Sequence, residues 1–444
     1  MDRRSFVALT AAELAALALA GCGGGGGAGG WGGPPIEFPP PQPAPPPSGR
    51  TERFDIAVIG AGAFGGWTAL HLQQQGARVV MVDQYGPGNS RATSGDETRG
   101  VRTSYGDRAV GQEWMRWARK AIGRWQAFDE EWKDVIGGQL FFTTGDLILR
   151  AEPQQFTTRT LEWWQAEGIP HEVLDVGEVR RRWPAIQVDD ITVALYEPEA
   201  GVVRARRACE AVGVVFQRLG GQVRIGHALL GERQGATLES IALANGDRIT
   251  ADQFCFACGP WLPKVFPDLI GPLMNLPVGH VCYFGTPPGD ERFTVPNLPS
   301  WNFPGVTGWP ALVPDNRGFR VRASGEGAFD PDMSQRWVPE ESVARNRTIL
   351  ESRFPGMTRA PLIETRACHY ESSATRNFLI DRHPEFTNLW IAGGGSAEGF
   401  KFGPVIGEYV AGRMRNADAE PDLAEGFTIP HEPAVPGDDG MSTE

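Results

Sequence analysis

The chain has 444 residues, 41% hydrophobic and 22% charged, which is the profile of a folded globular protein with room for one very large domain or two interleaved ones. Asp and Glu outnumber Lys and Arg by 54 to 42, so a net charge of −12 leaves no broad basic field for a phosphate backbone and makes nucleic acid a poor partner. Six cysteines are too few for a disulfide scaffold, and Cys255-Phe256-Ala257-Cys258, which has redox or zinc spacing, is accompanied by no second CxxC or His cluster.

Arg3 and Arg4 precede an apolar run, Val7 to Ala20, that is too short to span a membrane permanently. Arg3-Arg4-Ser5-Phe6 resembles a twin-arginine export signal and Leu19-Ala20-Gly21-Cys22 a bacterial lipobox. Export by that route is therefore expected, with Cys22 acylated and the protein anchored outside the cytoplasm by its lipid. Residues 1–22 read as this signal. Residues 23–50, glycine-rich and then proline-rich, read as a tether without helix or sheet. The end of the chain, 426–444, reads as loosely ordered.

From Asp55 the run Ile56-Ala57-Val58-Ile59 reads as a strand buried on both faces, feeding Gly60-Ala61-Gly62-Ala63-Phe64-Gly65. A helix is predicted over Trp67 to Gln75, and a second strand, Val79 to Val82, ends at Asp83. In such a βαβ unit Gly60 makes the tight turn, Gly62 admits a pyrophosphate to the helix N-terminus, and Gly65 lets helix meet strand. Asp83 is placed to accept ribose hydroxyls. FAD and NAD both use this fingerprint, so the rest of the chain must choose between them.

Gly95-Asp96-Glu97-Thr98-Arg99-Gly100-Val101-Arg102-Thr103-Ser104-Tyr105-Gly106, Arg182-Trp183-Pro184, Tyr196-Glu197-Pro198-Glu199-Ala200-Gly201, Ala257-Cys258-Gly259-Pro260-Trp261, Cys368-His369-Tyr370 and Ser396-Ala397-Glu398-Gly399-Phe400-Lys401-Phe402 follow one another in order. In this the chain resembles the monomeric sarcosine oxidase branch of the D-amino-acid-oxidase-like FAD flavoproteins, from about residue 53 to 420. The resemblance implies an α/β fold in which a Rossmann-like FAD-binding domain (51–135, 196–268, 366–425, with Gly259 at the cofactor) is interleaved with an α+β substrate domain (136–195, 269–365) built on a mostly antiparallel sheet. It implies oxidation of the C–N bond of a primary or secondary amine or amino acid to an imine by hydride transfer to FAD, with O2 or another electron acceptor taking the electrons. A hydroxy-acid or opine dehydrogenase and a non-catalytic FAD-binding lipoprotein are the alternatives.

If Thr365 to Tyr370 is a strand, Arg366, Cys368 and Tyr370 share a face, and Arg366 flanks the thiol and favours its thiolate. By resemblance, Cys368 carries a covalent bond to the flavin, Arg102 and Lys401 clamp the substrate carboxylate, and Arg99 lies close to the flavin ring. Arg320 stands where the family has an oxygen-activating lysine, and Ser324 and Glu398 stand in place of pocket histidines, which puts a fast oxygen reaction and sarcosine itself in doubt. Arg320 and Arg322 fall on one face of an alternating stretch. Tyr105, Tyr370 and Trp309 are further pocket candidates. Cys255 and Cys258 read as core residues with thiols facing opposite ways, and Arg180-Arg181-Arg182 as a solvated helix end.

Overall fold

Ile56 and Val58 point to one side of strand Thr51–Ile59, and Ala57 and Ile59 to the other. All four are buried, as expected for a strand covered on both faces. The computed structural model describes residues 49–323, 327–417 and 420–435. Cys22 and Ser324 therefore lie outside the described residues. Thr51–Ile59 pairs in parallel with Val79–Asp83 and Arg248–Phe256, and Gln222–Ile225 and Leu389–Gly393 extend the parallel ladder. Ser240–Leu243, Ala228–Leu230 and Leu379–Arg382 add antiparallel strands, giving eight in this sheet.

The helix after the glycine turn runs Ala63–Gln74 and starts at Ala63, not Trp67. Gly62 is its extended N-cap, and a Cβ on Gly65 would collide with the Gly60 carbonyl. Glycines that lower helix propensity are thus required at the first turn by the close approach of helix to strand. A second helix, Gly403–Met414, lies against the first, where a Cβ on Gly407 would come within 2.5 Å of Trp67 backbone and side-chain atoms. The long helix Gly111–Ile136 buries Trp114, Trp117, Ala118, Ala121, Ile122, Trp125 and Phe128, a stripe at helical spacing. These residues share a core with Trp67, Cys255 and one face of the first sheet. Cys258 packs against the opposite core. Arg180, Arg181 and Arg182 end helix Val176–Arg182 at the surface, paired with Asp189, Glu178 and Glu172.

The second sheet also has eight strands, in the order Leu362–His369, Val278–Phe284, Phe319–Ala323, Val306–Trp309, Ser300–Phe303, Asp146–Arg150, Val193–Glu197 and Glu172–Leu174. All neighbours are antiparallel except Ser300–Phe303 with Asp146–Arg150. Leu147, Leu149, Cys282, Phe284, Trp301, Phe303, Phe319 and Val321 form the core on one face. By alternation Asp146, Asn302, Trp309, Arg320, Arg322 and Cys368 fall on the other.

The two helical glycines Gly407 and Gly123 give substitutions of opposite sign. Gly407→Ala forces a methyl into Trp67 and is expected to cost about 1–3 kcal/mol. At exposed Gly123 a Cβ meets nothing within 4 Å, so Gly123→Ala is expected to gain about 0.5–1 kcal/mol. Urea midpoints at unchanged m-value check both; shifts of the same sign would contradict the helix contact.

Candidate cofactor and substrate site

A cavity of ≈ 680 Å³ runs from the glycine turn and Asp83, past Cys368, to Arg102 and Lys401. At one end Gly60 has φ +110°, and a Cβ there would strike the Ala257 carbonyl. The N-cap Gly62 has no side chain to cap helix Ala63–Gln74, whose first N–H donates to Ser94 Oγ (3.1 Å), and Gly62, Ala63 and Phe64 line the cavity, so the positive helix end faces it. The Asp83 carboxylate ends its strand in the lining and accepts N–H bonds from Ala61 (2.8 Å), Tyr85 (2.8 Å) and Gly86 (2.7 Å). Burial raises its pKa against those three bonds. Gly259, at φ +52°, lines the cavity beside Glu371.

Cys368 sits on strand Leu362–His369 opposite Gly279. Its sulfur lies 2.9 Å from Arg99 Nη2. Arg99 also pairs with buried Asp96 and donates to the Thr93 carbonyl at 2.8 Å. Burial opposes the charge on Arg99, but Cys368 and Asp96 overcome it and raise its pKa. The expected neighbour of the thiol was Arg366, and the structure corrects this. Arg366 turns to Glu364 (2.9 Å) and the Gly95 carbonyl (3.2 Å), because a carboxylate two positions back on its own face captures it. Behind Arg99 a buried chain of donors runs from Trp309 Nε1 to Thr98 Oγ1 (2.8 Å), on to the Tyr283 hydroxyl (3.1 Å), and from that hydroxyl to Asp96 Oδ1 (2.9 Å).

At the other end Glu398 joins the two cations expected to hold a carboxylate. It pairs with Lys401 Nζ, accepts from the Tyr105 hydroxyl at 3.3 Å, and lies 3.7 Å from Arg102 Nη2. Arg102 also donates to the Ser104 carbonyl (2.8 Å) and hydroxyl (3.1 Å). Lys401 is buried on the short turn Gly399–Phe402, and burial with Arg102 and Arg108 nearby lowers its pKa. Glu398 is therefore no solvated rim charge. Both cations already face a carboxylate of their own chain.

Arg320 stacks on Trp309, its guanidinium carbon 3.8 Å from the ring centroid, with Nε and Nη1 without a hydrogen-bond partner among the described residues. Burial pulls its pKa down to about 10, so it stays charged at neutral pH. Arg322 shares its face and lies 5.5 Å from the Tyr370 ring; all four residues line the cavity.

Three buried carboxyls in or beside this wall escaped the sequence reading. Asp146 lines the cavity, Glu197 stands directly across the strand pair from it, and Glu371 accepts from Gly395 N at 3.2 Å in the lining near Gly259. Burial raises all three, Glu197 to about 7 and Glu371 to about 6. The strand Asp146-Leu147-Ile148-Leu149-Arg150 did carry a signal, since polar residues at both ends alternate with the two leucines.

A glycine cradle at a helix N-terminus, a terminal acid and a long cavity fit a dinucleotide, and the cation-lined far end fits a small anionic substrate. Fold and site together define a dinucleotide-dependent enzyme. The chain belongs to the FAD dependent oxidoreductase (DAO) family, which it matches over residues 55–413, and FAD is the cofactor. It is similar to monomeric sarcosine oxidase of Bacillus sp. (strain NS-129), 26% identical over 84% of this chain and 95% of that protein. It is also similar to N-methyl-L-tryptophan oxidase of Citrobacter koseri, 25% identical over 81% and 94%. In fold it is similar to iminodiacetate oxidase from Chelativorans sp. BNC1, with a TM-score of 0.70 at 22% identity, covering 86% of this chain and all of that one.

Glu197 gives the site a pH signature. Its folded pKa of about 7 lies above the ordinary 4.5, so folding favours the protonated carboxyl. Stability is then full below about pH 4.5 and falls as pH rises to about 7, by up to roughly 3 kcal/mol. Glu197→Gln is expected to flatten this fall in urea unfolding across that window; an undiminished fall would assign the ionisation to another group.

Proposed function

We propose that the protein oxidises the C–N bond of a primary or secondary amine bearing a carboxylate, giving an imine that water hydrolyses. The observation that carries this is the convergence of Arg102, Lys401 and Tyr105 on one carboxylate in the cavity that also holds the glycine turn and Cys368. Bound FAD supplies the two-electron acceptor, which O2 or another acceptor then regenerates. Arg102 and Lys401 hold the substrate carboxylate in place of Glu398, one as a planar fork and the other as a point charge. Trp309 fixes Arg320 as a buried positive charge on the wall. The substrate amine must be neutral to release hydride, so no nucleophile of the chain is required. Mixing the holoprotein anaerobically with amino acids and N-alkyl amino acids is expected to bleach the flavin, at a rate that rises with pH until the bound amine is deprotonated. Arg102→Met or Lys401→Met is expected to raise KM about 10- to 100-fold. Bleaching by hydroxy acids alone would overturn the amine assignment.

The Arg99 contact, which orients the Cys368 sulfur, supports a covalent bond to the flavin: the sulfur would replace a hydrogen of the flavin 8-methyl carbon, the S–H and C–H bonds breaking, the electron pair passing to the flavin and from it to O2 or another acceptor. The twin-arginine and lipobox resemblances support export, with Cys22 lipidated and residues 23–50 as a tether to the membrane. Intact-mass analysis of the mature chain is expected to find both adducts. Cys368→Ser should lose the flavin mass and Cys22→Ser the lipid. An unmodified wild-type mass would overturn both.

A further inference from the structure

Asp146 has no part in that chemistry, yet it lines the cavity. Its strand is the sixth of the second sheet counted from the one that carries Cys368, five strand spacings or roughly 24 Å along the wall. The side chain is 5% exposed, makes no hydrogen bond or ion pair among the described residues, and has Oδ2 sealed from solvent. The cations that act on it, Arg102, Lys401 and Arg150, do so at a distance. Arg102 and Lys401 face Glu398, and Arg150 donates to the Asn302 side chain (3.0 Å) and backbone carbonyl (2.9 Å).

Directly opposite, in the antiparallel pair with Val193–Glu197, stands Glu197. It accepts the Thr103 N–H (3.0 Å) and hydroxyl (2.8 Å), and no cation lies within ion-pair distance among the described residues. Directly opposed residues of such a pair have Cβ atoms about 5 Å apart, and like charges there repel. Two buried carboxyls so placed call for a proton or a cationic ligand. Groups of three His, Cys, Asp or Glu able to hold a metal ion do not occur among the described residues, so a ligand that takes the place of the proton here is an organic cation. Ser300, beside Asp146 in register, adds a polar flank to the lining.

We propose that Asp146 is a specificity-determining residue, which receives the ammonium or guanidinium at the distal end of an elongated substrate whose carboxylate rests on Arg102 and Lys401. It rests on the assignment of that pair as the carboxylate site. The substrate class is then an amine that carries a carboxylate and a second, remote cation.

The test titrates flavin-loaded protein with alkanoates and with ω-amino alkanoates of matched length from four to eight carbons, followed by perturbation of the visible flavin absorbance. At one chain length the ω-amino compound is expected to bind about 10- to 100-fold tighter than its alkanoate. Asp146→Asn is expected to erase that preference. Equal affinities at every length in the wild-type protein would overturn the proposal while leaving the carboxylate clamp intact, and this comparison needs no variant to fold. An Asp146→Asn protein that weakens both series alike would assign the residue a structural role and overturn it too. Failure of both series to bind would instead overturn the clamp, and the proposal with it.

Discussion

The guanidinium of Arg99 lies between Asp96 and the Thr93 carbonyl on one side and the Cys368 sulfur on the other, closing a contact across 269 residues. A buried cation of this kind leaves an uncompensated charge if one partner is withdrawn, at a cost of about 3–5 kcal/mol. The short stretch from Thr93 to Arg99 is thereby fixed between the two sheets. Ser94 accepts from Ala63 N at the start of the first helix (3.1 Å), Thr93 donates to the His369 carbonyl (2.8 Å), and Asp96 accepts from Tyr283 on the second sheet. This segment thus ties the start of the first helix, the strand of Cys368 and the second sheet to one another.

The second sheet supplies the wall because its side chains alternate. Leu147, Leu149, Trp301, Phe319 and Val321 turn to a dry core, and the residues between them turn to the cavity. In register, Arg320 stands opposite Trp309 and Asp146 opposite Ser300, while Cys368 lies four residues along its strand from Glu364, the residue level with Arg320 through Tyr283.

The nucleotide end was legible in the sequence because its constraints are local. Glycine spacing, a doubly buried strand and a terminal acid all lie between Asp55 and Asp83, and the structure departs only in starting the helix at Ala63. The shared face of Arg320 and Arg322 was equally readable, since a strand alternates wherever it sits. Contacts between distant segments were not. Arg366 was the natural neighbour of Cys368 along its strand, but Arg99 reaches the sulfur across the fold. Glu398 stood beside Lys401 in the sequence, yet its grip on Lys401, Arg102 and Tyr105 depends on where the Arg102 segment docks. Asp146 and Glu197 are unremarkable acids until the register sets them face to face.

Glu398 already faces Arg102 and Lys401, so an anion arriving at the clamp proposed for the substrate carboxylate enters an exchange instead of filling a hole. Chloride, acetate and other small monoanions gain little by such an exchange, because they return to the two cations no more than they displace. A ligand that also finds contacts elsewhere in the cavity tips it. On the proposed reading the internal acid is a tethered competitor at very high effective concentration, a filter against the salts and short acids that would crowd an open cationic pocket.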